Sequence, residues 1–299
     1  MNTKRKVVIT GASGYIASLL LPAFRERYDL TLLDVRTEDR EGNTVEGVQI
    51  ADLTERNRDS YRHHFRGADA VVHLGFTQAD DKSDAVQDFY AELSNVEMAF
   101  NVYQTSQEEG VRRVVVASSN HAADYYERLI LDKKWDVVTP EMRPFSDNFY
   151  GWAKETYEHL GFVFAVGRMQ YHGLQGEETE SRPLENVQVR IGGPREDDLE
   201  RIEPGDLRRM RRGLAVYISQ RDIQQLFIKS IETECIDDEE GVPFQVFYGI
   251  SGNSQAFWSI VNARKVIGYE PQDNSEYRFS DQIHRHVRAA GVDGTPSAS

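Results

Sequence analysis

The chain of 299 residues contains one cysteine, Cys235, and no long apolar run. A single cysteine excludes intramolecular disulfides and thiolate zinc clusters, is usual in a reducing compartment, and is expected here to have a packing role. No run approaches the roughly 18 apolar residues that a membrane-spanning helix needs. The N-terminus leads almost directly into a predicted strand, so we expect no signal peptide. These features together predict a cytoplasmic protein.

Positive charge is scarce, with 35 Lys and Arg against 49 Asp and Glu, which gives a net charge of −14. An acidic protein repels phosphate backbones and anionic lipids, so neither nucleic acid nor a membrane is an expected partner. His284 and His286 stand in a basic segment without acids or cysteines at metal-ligand spacing, and we predict no metal. The hydrophobic fraction of 39% is typical of a globular chain with a large core.

The start of the chain has the pattern of a strand, a glycine-rich turn and a helix. Residues 7–10 are an apolar run typical of a buried parallel strand, and residues 18–21 begin a helix that contains Pro22. Gly11 and Gly14 allow the backbone to approach a pyrophosphate, to which the helix N-terminus offers free N–H groups. This pattern predicts a dinucleotide site. An ordinary strand–helix turn with two glycines is the alternative.

An acidic residue ends the next apolar run, 20 residues after Gly14. This residue, Asp34, can accept hydrogen bonds from the adenosine ribose hydroxyls and repel a 2′-phosphate, which favours NAD over NADP. A nearby Arg36 can instead accommodate that phosphate. An ordinary acid at a strand end is the alternative interpretation of Asp34.

Tyr150 and Lys154 lie four residues apart in a predicted helix over residues 149–166, so their side chains project from one face. An ammonium group beside a phenol favours the phenolate, and we expect Lys154 to lower the pKa of Tyr150. Such a pair can move a proton to or from a sugar or alcohol hydroxyl. The spacing alone is common, and it is informative here because the same chain has the pattern of a dinucleotide site.

Strands and helices alternate along the chain. Further elements are expected at residues 45–51 (strand), 54–65 (helix), 69–75 (strand), 84–109 (helix) and 113–119 (strand). This order predicts an α/β fold with a Rossmann-type doubly wound parallel sheet. Ligands bind beyond the carboxyl ends of such strands, so the loops there should converge on one crevice. Those loops contain Gly11, Asp34, Gly75 and Ser119.

Together these motifs resemble the extended short-chain dehydrogenases/reductases from Gly11 to about Phe279. The resemblance is carried by residues 10–16, Asp34, Asp52, Leu53, residues 69–75, Asn95, residues 114–119, Tyr150 and Lys154. Within that superfamily the chain is most similar to the uronate dehydrogenases. The narrower similarity is carried by residues 73–75, 118–121, 150–154, 189–192, 219–222, 248–251 and 268–271.

The resemblance implies one extended domain that binds NAD and often forms homo-oligomers. Residues 1–168 would be mainly the dinucleotide-binding core, residues 169–290 mainly a small C-terminal substrate-binding lobe with the last sheet elements, and residues 291–299 a flexible tail. The residues implied to bind NAD are Gly11, Ser13, Gly14, Tyr15, Ile16, Asp34, Arg36, Asp52, Leu53, Leu74, Gly75, Asn95, Tyr150, Lys154 and Ile191.

The implied reaction is oxidation of the anomeric hydroxyl of a hexuronate to an aldonolactone. Tyr150 matches the general base, and Lys154 matches the residue that lowers its pKa and binds the nicotinamide ribose. Ser119 matches the hydroxyl that orients the substrate oxygen, with Ser118 as the alternative. These groups form a coherent set of a proton acceptor, a cation and a hydrogen-bond donor.

The sugar itself is implied to contact Gln78, Ser119, Asn120, His121 and Arg212. A guanidinium can hold a carboxylate with two hydrogen bonds, although Arg211 is equally close to the matching position and a solvated basic loop is the alternative. Two residues depart from the family, since Gln78 and Gly193 stand where serines are expected.

Other functions also fit the sequence. Residues 169–186 and 194–212 form unusually long predicted loops, and the second is either a solvated charged loop or a lid. The sugar could therefore be a sugar phosphate or another aldose. A nucleotide-sugar epimerase or dehydratase that retains its NAD uses the same Tyr/Lys pair. A redox-sensing protein without activity is the third alternative, against which the intact Ser119, Tyr150 and Lys154 argue.

Overall fold

The protein's structure, a computed structural model, describes residues 4–167 and 182–291. Within those residues seven parallel strands form one sheet, in the order β3-β2-β1-β4-β5-β6-β7. The strands are β1 Lys6–Thr10, β2 Asp29–Asp34, β3 Val48–Ile50, β4 Ala70–His73, β5 Arg113–Ser119, β6 Glu185–Ile191 and β7 Phe244–Gly249. The strand order reverses between β1 and β4, which is where ligands bind in such sheets. The predicted Rossmann-type doubly wound sheet is confirmed.

Helices cover both faces of this sheet. They are α1 Tyr15–Arg27, α2 Ala85–Glu108, α3 Tyr125–Leu131, α4 Phe149–Ala165, α5 Leu207–Val216, α6 Gln220–Glu232, α7 Val261–Ile267, α8 Ser275–Arg278 and α9 Ser280–Ala289. Alternate residues of β1 enter different cores, because Val7 packs in the core of α1 and α6 whereas Val8 packs in the core of α2 and α4. The strands are therefore apolar on both faces, as their sequences indicate.

Several predicted boundaries agree closely with the structure. Strand β5 has the predicted ends, and α2 begins one residue after Asp84, whose side chain accepts hydrogen bonds from the amides of Val86 and Gln87. Helix α1 begins at Tyr15, three residues earlier than predicted, and it accommodates Pro22. Strand β3 is shorter than the predicted strand 45–51.

The predicted helix over residues 54–65 is wrong, because the segment forms two short 3₁₀ turns at Arg58–Ser60 and Arg62–His64. Tyr61 and Phe65 are buried four residues apart, which imitates a helical pattern. Residues 54–60 contain no apolar side chain, so a longer helix there would have no face to pack against the sheet.

The long loops predicted in the second half of the chain also need correction. Residues 207–212 are not in a loop, since they belong to α5, which Asp206 caps by accepting from the Arg209 amide at 2.9 Å. Asn186 lies in β6 rather than in a loop. Most of the first loop, residues 169–181, and most of the predicted tail, residues 292–299, lie outside the described residues.

The packing role expected for Cys235 is also wrong, because this residue is exposed.

Candidate active site

The glycine-rich turn joins β1 to α1 against the end of β4. Gly11 has a φ of +69°, and a Cβ there would lie 2.7 Å from backbone atoms of Leu74 and Gly75. Gly14 donates its amide to the Gly11 carbonyl at 3.0 Å, which tightens the turn. Only glycine fits at Gly11, both because of the positive φ and because the neighbouring strand is so close. The turn and the loop after β4 therefore meet, as predicted.

The first turn of α1 offers unused hydrogen-bond donors. Among the described residues, the amides of Tyr15, Ile16 and Ala17 have no acceptor, and no side chain caps the helix. These amides lie at the positive end of the helix dipole, which favours an anion. The turn therefore fits the pyrophosphate of a dinucleotide.

Asp34 is hydrogen bonded to this turn from the end of β2. Its Oδ2 accepts from the Ser13 amide at 2.9 Å, and its Oδ1 accepts from the Val35 amide at 2.7 Å. The Ser13 hydroxyl donates to the Arg36 carbonyl at 2.8 Å, while the Arg36 side chain is exposed. The structure thus brings Ser13, Asp34 and Arg36 together at the place where an adenosine ribose is expected.

Other residues implied to bind NAD have structural partners. Asn95 exchanges two hydrogen bonds of 2.8 Å with the backbone of Thr77 and donates a third, of 3.0 Å, to Glu92. It therefore holds the loop after β4 in place, and its amide has little capacity for a ligand. Leu53 is buried in the core, and the Asp52 carboxylate caps the amide and hydroxyl of Thr54 at 2.9 and 2.7 Å.

Ser119, Tyr150 and Lys154 meet at the carboxyl end of β5. The Lys154 ammonium donates to the Ala117 carbonyl at 2.9 Å and lies 5.3 Å from the centre of the Tyr150 ring. A Cβ on Gly151 would lie 2.2 Å from the His121 carbonyl oxygen. A glycine at this position therefore lets the start of α4 pack directly on the turn that follows β5.

Burial shifts the proton affinities of this pair. Burial raises the pKa of Tyr150, against a smaller lowering by a hydrogen bond with the Ser119 hydroxyl. Burial lowers the pKa of Lys154 to about 8, although the charges of Glu92 and Glu158 act in the opposite direction. The pKa of Tyr150 is therefore raised overall and not lowered toward neutral pH as expected, because the cost of burying a phenolate is the largest effect.

The choice between Ser118 and Ser119 follows from the alternation of side chains along β5. Ser118 donates to the buried carboxylate of Glu158, which also binds Arg190 at 2.7 and 2.9 Å. Arg190 donates in turn to the Tyr248 hydroxyl at 2.8 Å. Ser118 is thus committed to an internal network, and Ser119 is the serine beside Tyr150. No sequence pattern had indicated this network.

Arg212 is already paired, which the sequence did not indicate. Its Nε and Nη2 donate to the two carboxylate oxygens of Glu127 at 3.0 and 3.2 Å. Asn120 donates to the same carboxylate at 3.1 Å. Arg211 has no hydrogen bond or ion pair within residues 4–167 and 182–291, and Gln78 is exposed without one in the same part of the chain.

Comparisons with known proteins identify the family of the chain. The model of the NAD dependent epimerase/dehydratase family matches residues 7–162. An NAD-dependent glucose-6-phosphate dehydrogenase of Haloferax volcanii is 30% identical over 289 residues, which cover 92% of this chain and 97% of the relative. A uronate dehydrogenase of Pseudomonas syringae is 26% identical, over 91% of this chain and 83% of the relative. A solved structure of a mutated uronate dehydrogenase has 25% identity and a TM-score of 0.67, over 94% of this chain and 86% of that one.

The chain belongs to the NAD dependent epimerase/dehydratase family. Membership confirms the resemblance to the extended short-chain dehydrogenases/reductases, NAD as the cofactor, and an NAD-dependent sugar dehydrogenase as the kind of enzyme. The names of the relatives give different sugars, so the particular substrate is a separate question. No helix in the described part of the chain is long and apolar enough to cross a membrane.

Proposed function

We propose that the protein oxidises the anomeric hydroxyl of an acidic sugar, a hexuronate, to an aldonolactone. NAD, when bound at the glycine-rich turn, supplies the hydride acceptor. The proposal is carried by the meeting of Ser119, Tyr150 and Lys154 at the carboxyl end of β5. Strand β5 lies two places from β1 in the parallel sheet, so the loop after β5 leaves the same edge of the sheet as the turn that fits a pyrophosphate.

Each of these three side chains has a role in moving the hydroxyl proton. Tyr150 accepts it in the phenolate form, which burial disfavours by raising the pKa of the phenol and which therefore depends on the cation beside it. The Ser119 hydroxyl, which already interacts with the phenol, orients the sugar oxygen. Lys154 is buried with two acids near it, Glu92 and Glu158, whose charges support its protonated state. Its ammonium group stabilises negative charge that develops on the phenol.

The acidic group of the sugar is proposed to bind at Arg212. A hexuronate is the first candidate, because the Ser-Ser-Asn-His run at residues 118–121 resembles that of the uronate dehydrogenases, and one such enzyme is 26% identical to this chain. A sugar phosphate is the second, favoured by the 30% identical relative and by Arg211, which directly precedes Arg212 in α5 and whose side chain has no partner within the described residues. Both candidates present an anion to the same guanidinium.

A substrate panel tests the proposal. The purified protein is incubated with NAD and, separately, glucuronate, galacturonate, glucose 6-phosphate, glucose, arabinose and a UDP-sugar, and NADH is followed. Preferential, stoichiometric NADH formation from a uronate supports the first candidate. Preference for the phosphate supports the second. Conversion of the UDP-sugar without NADH, or NAD binding without turnover of any sugar, would contradict both.

A further inference from the structure

Asp124, which follows the Ser-Ser-Asn-His run, receives two side-chain hydrogen bonds beside the site. Its Oδ2 lies 2.8 Å from His121 Nδ1 and accepts from Asn148 Nδ2 at 2.9 Å. The Asp124 side chain is only 11% exposed. Burial alone would raise the pKa of Asp124, but the hydrogen bonds from His121 and Asn148 outweigh it, and the pKa is lowered. The group is therefore a carboxylate at neutral pH.

This carboxylate determines which nitrogen of His121 carries a proton. An ionised carboxylate can only accept hydrogen bonds, so Nδ1 must be the donor. In the neutral ring, Nε2 then has the free lone pair. Within the described residues Nε2 has no partner, and the side chain is 40% exposed. The ring centre lies 5.6 Å from that of Tyr150, at an interplanar angle of 67°.

Asn148 connects the same carboxylate to α4, the helix that contains Tyr150. It is the N-cap of α4, where its Oδ1 accepts from the Gly151 amide at 2.9 Å. Its Nδ2 is left to donate to Asp124. Asp124 thus joins the turn that carries His121 to the helix end that carries Tyr150.

We propose that Asp124 is a positioning residue, which holds His121 with its Nδ1 protonated and leaves Nε2, on a ring next to Tyr150, as the acceptor for a sugar hydroxyl. The proposal rests on the proposed function, because it requires a sugar at Tyr150. A carboxylate that fixes the tautomer of a histidine acts on the sugar only through that ring. The hydrogen bond from Asn148 fixes the position of the carboxylate, and therefore of the imidazole, relative to the start of α4.

The tautomer can be measured in the sugar-free, full-length protein by two-bond ¹H–¹⁵N NMR. The His121 signals are assigned by their loss in His121→Gln. We expect the Nδ1-protonated form in the wild-type protein. In Asp124→Asn the new amide can donate to Nδ1, so the population should move toward the Nε2-protonated form. A wild-type ring protonated at Nε2 alone, or a tautomer unchanged by Asp124→Asn, would overturn the proposal even if sugar oxidation is established.

Kinetics provide the second arm of the test. Asp124→Asn should lower kcat/KM for the sugar by about 10- to 100-fold, the scale of a small misplacement of a contacting group. The Kd for NAD, measured by calorimetry, should not change. In a His121→Gln background the same substitution should have little further effect. An equal loss in both backgrounds would show that Asp124 does not act through His121.

Asp147→Asn is the matched control. Asp147 accepts from the same Asn148 amide at 3.2 Å but has no hydrogen bond to His121. The control therefore makes the same charge change next to the same helix cap. We expect wild-type kinetics and a wild-type tautomer. If Asp147→Asn reproduces the effects of Asp124→Asn, general charge rather than positioning explains them, and the proposal fails.

Discussion

Glu127 holds the guanidinium of Arg212 with both of its carboxylate oxygens, at 3.0 and 3.2 Å. The pair is partly buried, with side-chain exposures of 33% for Arg212 and 15% for Glu127. An acidic sugar that binds Arg212 must displace this carboxylate or share the guanidinium with it. Under the proposed function, Glu127 would therefore compete with the acidic group of the sugar for the same donors.

Glu127→Gln is expected to lower the KM for an acidic sugar. The substitution removes a like charge next to the incoming anion, which is worth about 1 kcal/mol in a solvated setting, or roughly fivefold in KM. A neutral aldose should show little change. Arg212→Ala is the companion variant and should raise the KM for the acidic sugar far more than for the neutral one. Equal changes for both kinds of sugar would argue against an anion site at this pair.

Tyr150→Phe is expected to reduce turnover at least about 100-fold, because it removes the group that exchanges the proton. The affinity for NAD, measured by calorimetry, should remain close to that of the wild type. Tyr90→Phe is the control, because it removes the same hydroxyl group from a tyrosine that is 63% exposed on α2. Retained activity in Tyr150→Phe would disprove the proton-transfer role.

Gly11→Ala is expected to abolish NAD binding and to lower the free energy of unfolding by several kcal/mol. The added Cβ would meet the backbone of Leu74 and Gly75 at 2.7 Å, in addition to the strain of the positive φ. Gly110→Ala separates these effects, because Gly110 has a φ of +75° and a Cβ added there would meet no described residue within 4 Å apart from its chain neighbours. It should cost only the backbone strain, about 1–2 kcal/mol. Urea unfolding measures the stability of each variant, and titration with NAD measures its affinity for the cofactor. Similar losses in the two variants would show that the contact of the added Cβ with Leu74 and Gly75 is not the cause.

Acid should destabilise the protein through His73. Burial, with a smaller contribution from the Lys154 charge, lowers the pKa of His73 from 6.5 to about 3. Between these two values the unfolded chain binds a proton that the folded chain does not, so stability falls as the pH falls through this window. His73→Gln removes that proton uptake. Below pH 6, the free energy of unfolding of the wild type should fall by up to about 1.4 kcal/mol per pH unit more steeply than that of the variant. Parallel curves in urea titrations would contradict this.

Much of the fold was predictable because the sequence signals that define its elements are local. The apolar residues of β1 are followed directly by the turn with Gly11 and Gly14, and α2 and α4 begin after the polar N-cap residues Asp84 and Asn148. The prediction from local patterns was wrong where the burial of side chains depends on residues that are distant in the chain. Tyr61 and Phe65 have helical spacing, yet their segment makes only 3₁₀ turns between two strands.

The amino-acid sequence by itself determined the alternating elements, the glycine-rich turn, Asp34 and the Tyr150/Lys154 pair, because each depends on residues close together in the chain. Only the tertiary structure decided that Ser119 rather than Ser118 faces Tyr150, and that Glu127 pairs with Arg212. It also reversed the expected pKa shift of Tyr150. Such outcomes depend on burial and on contacts between distant segments, and these arise only when the strands and helices pack together.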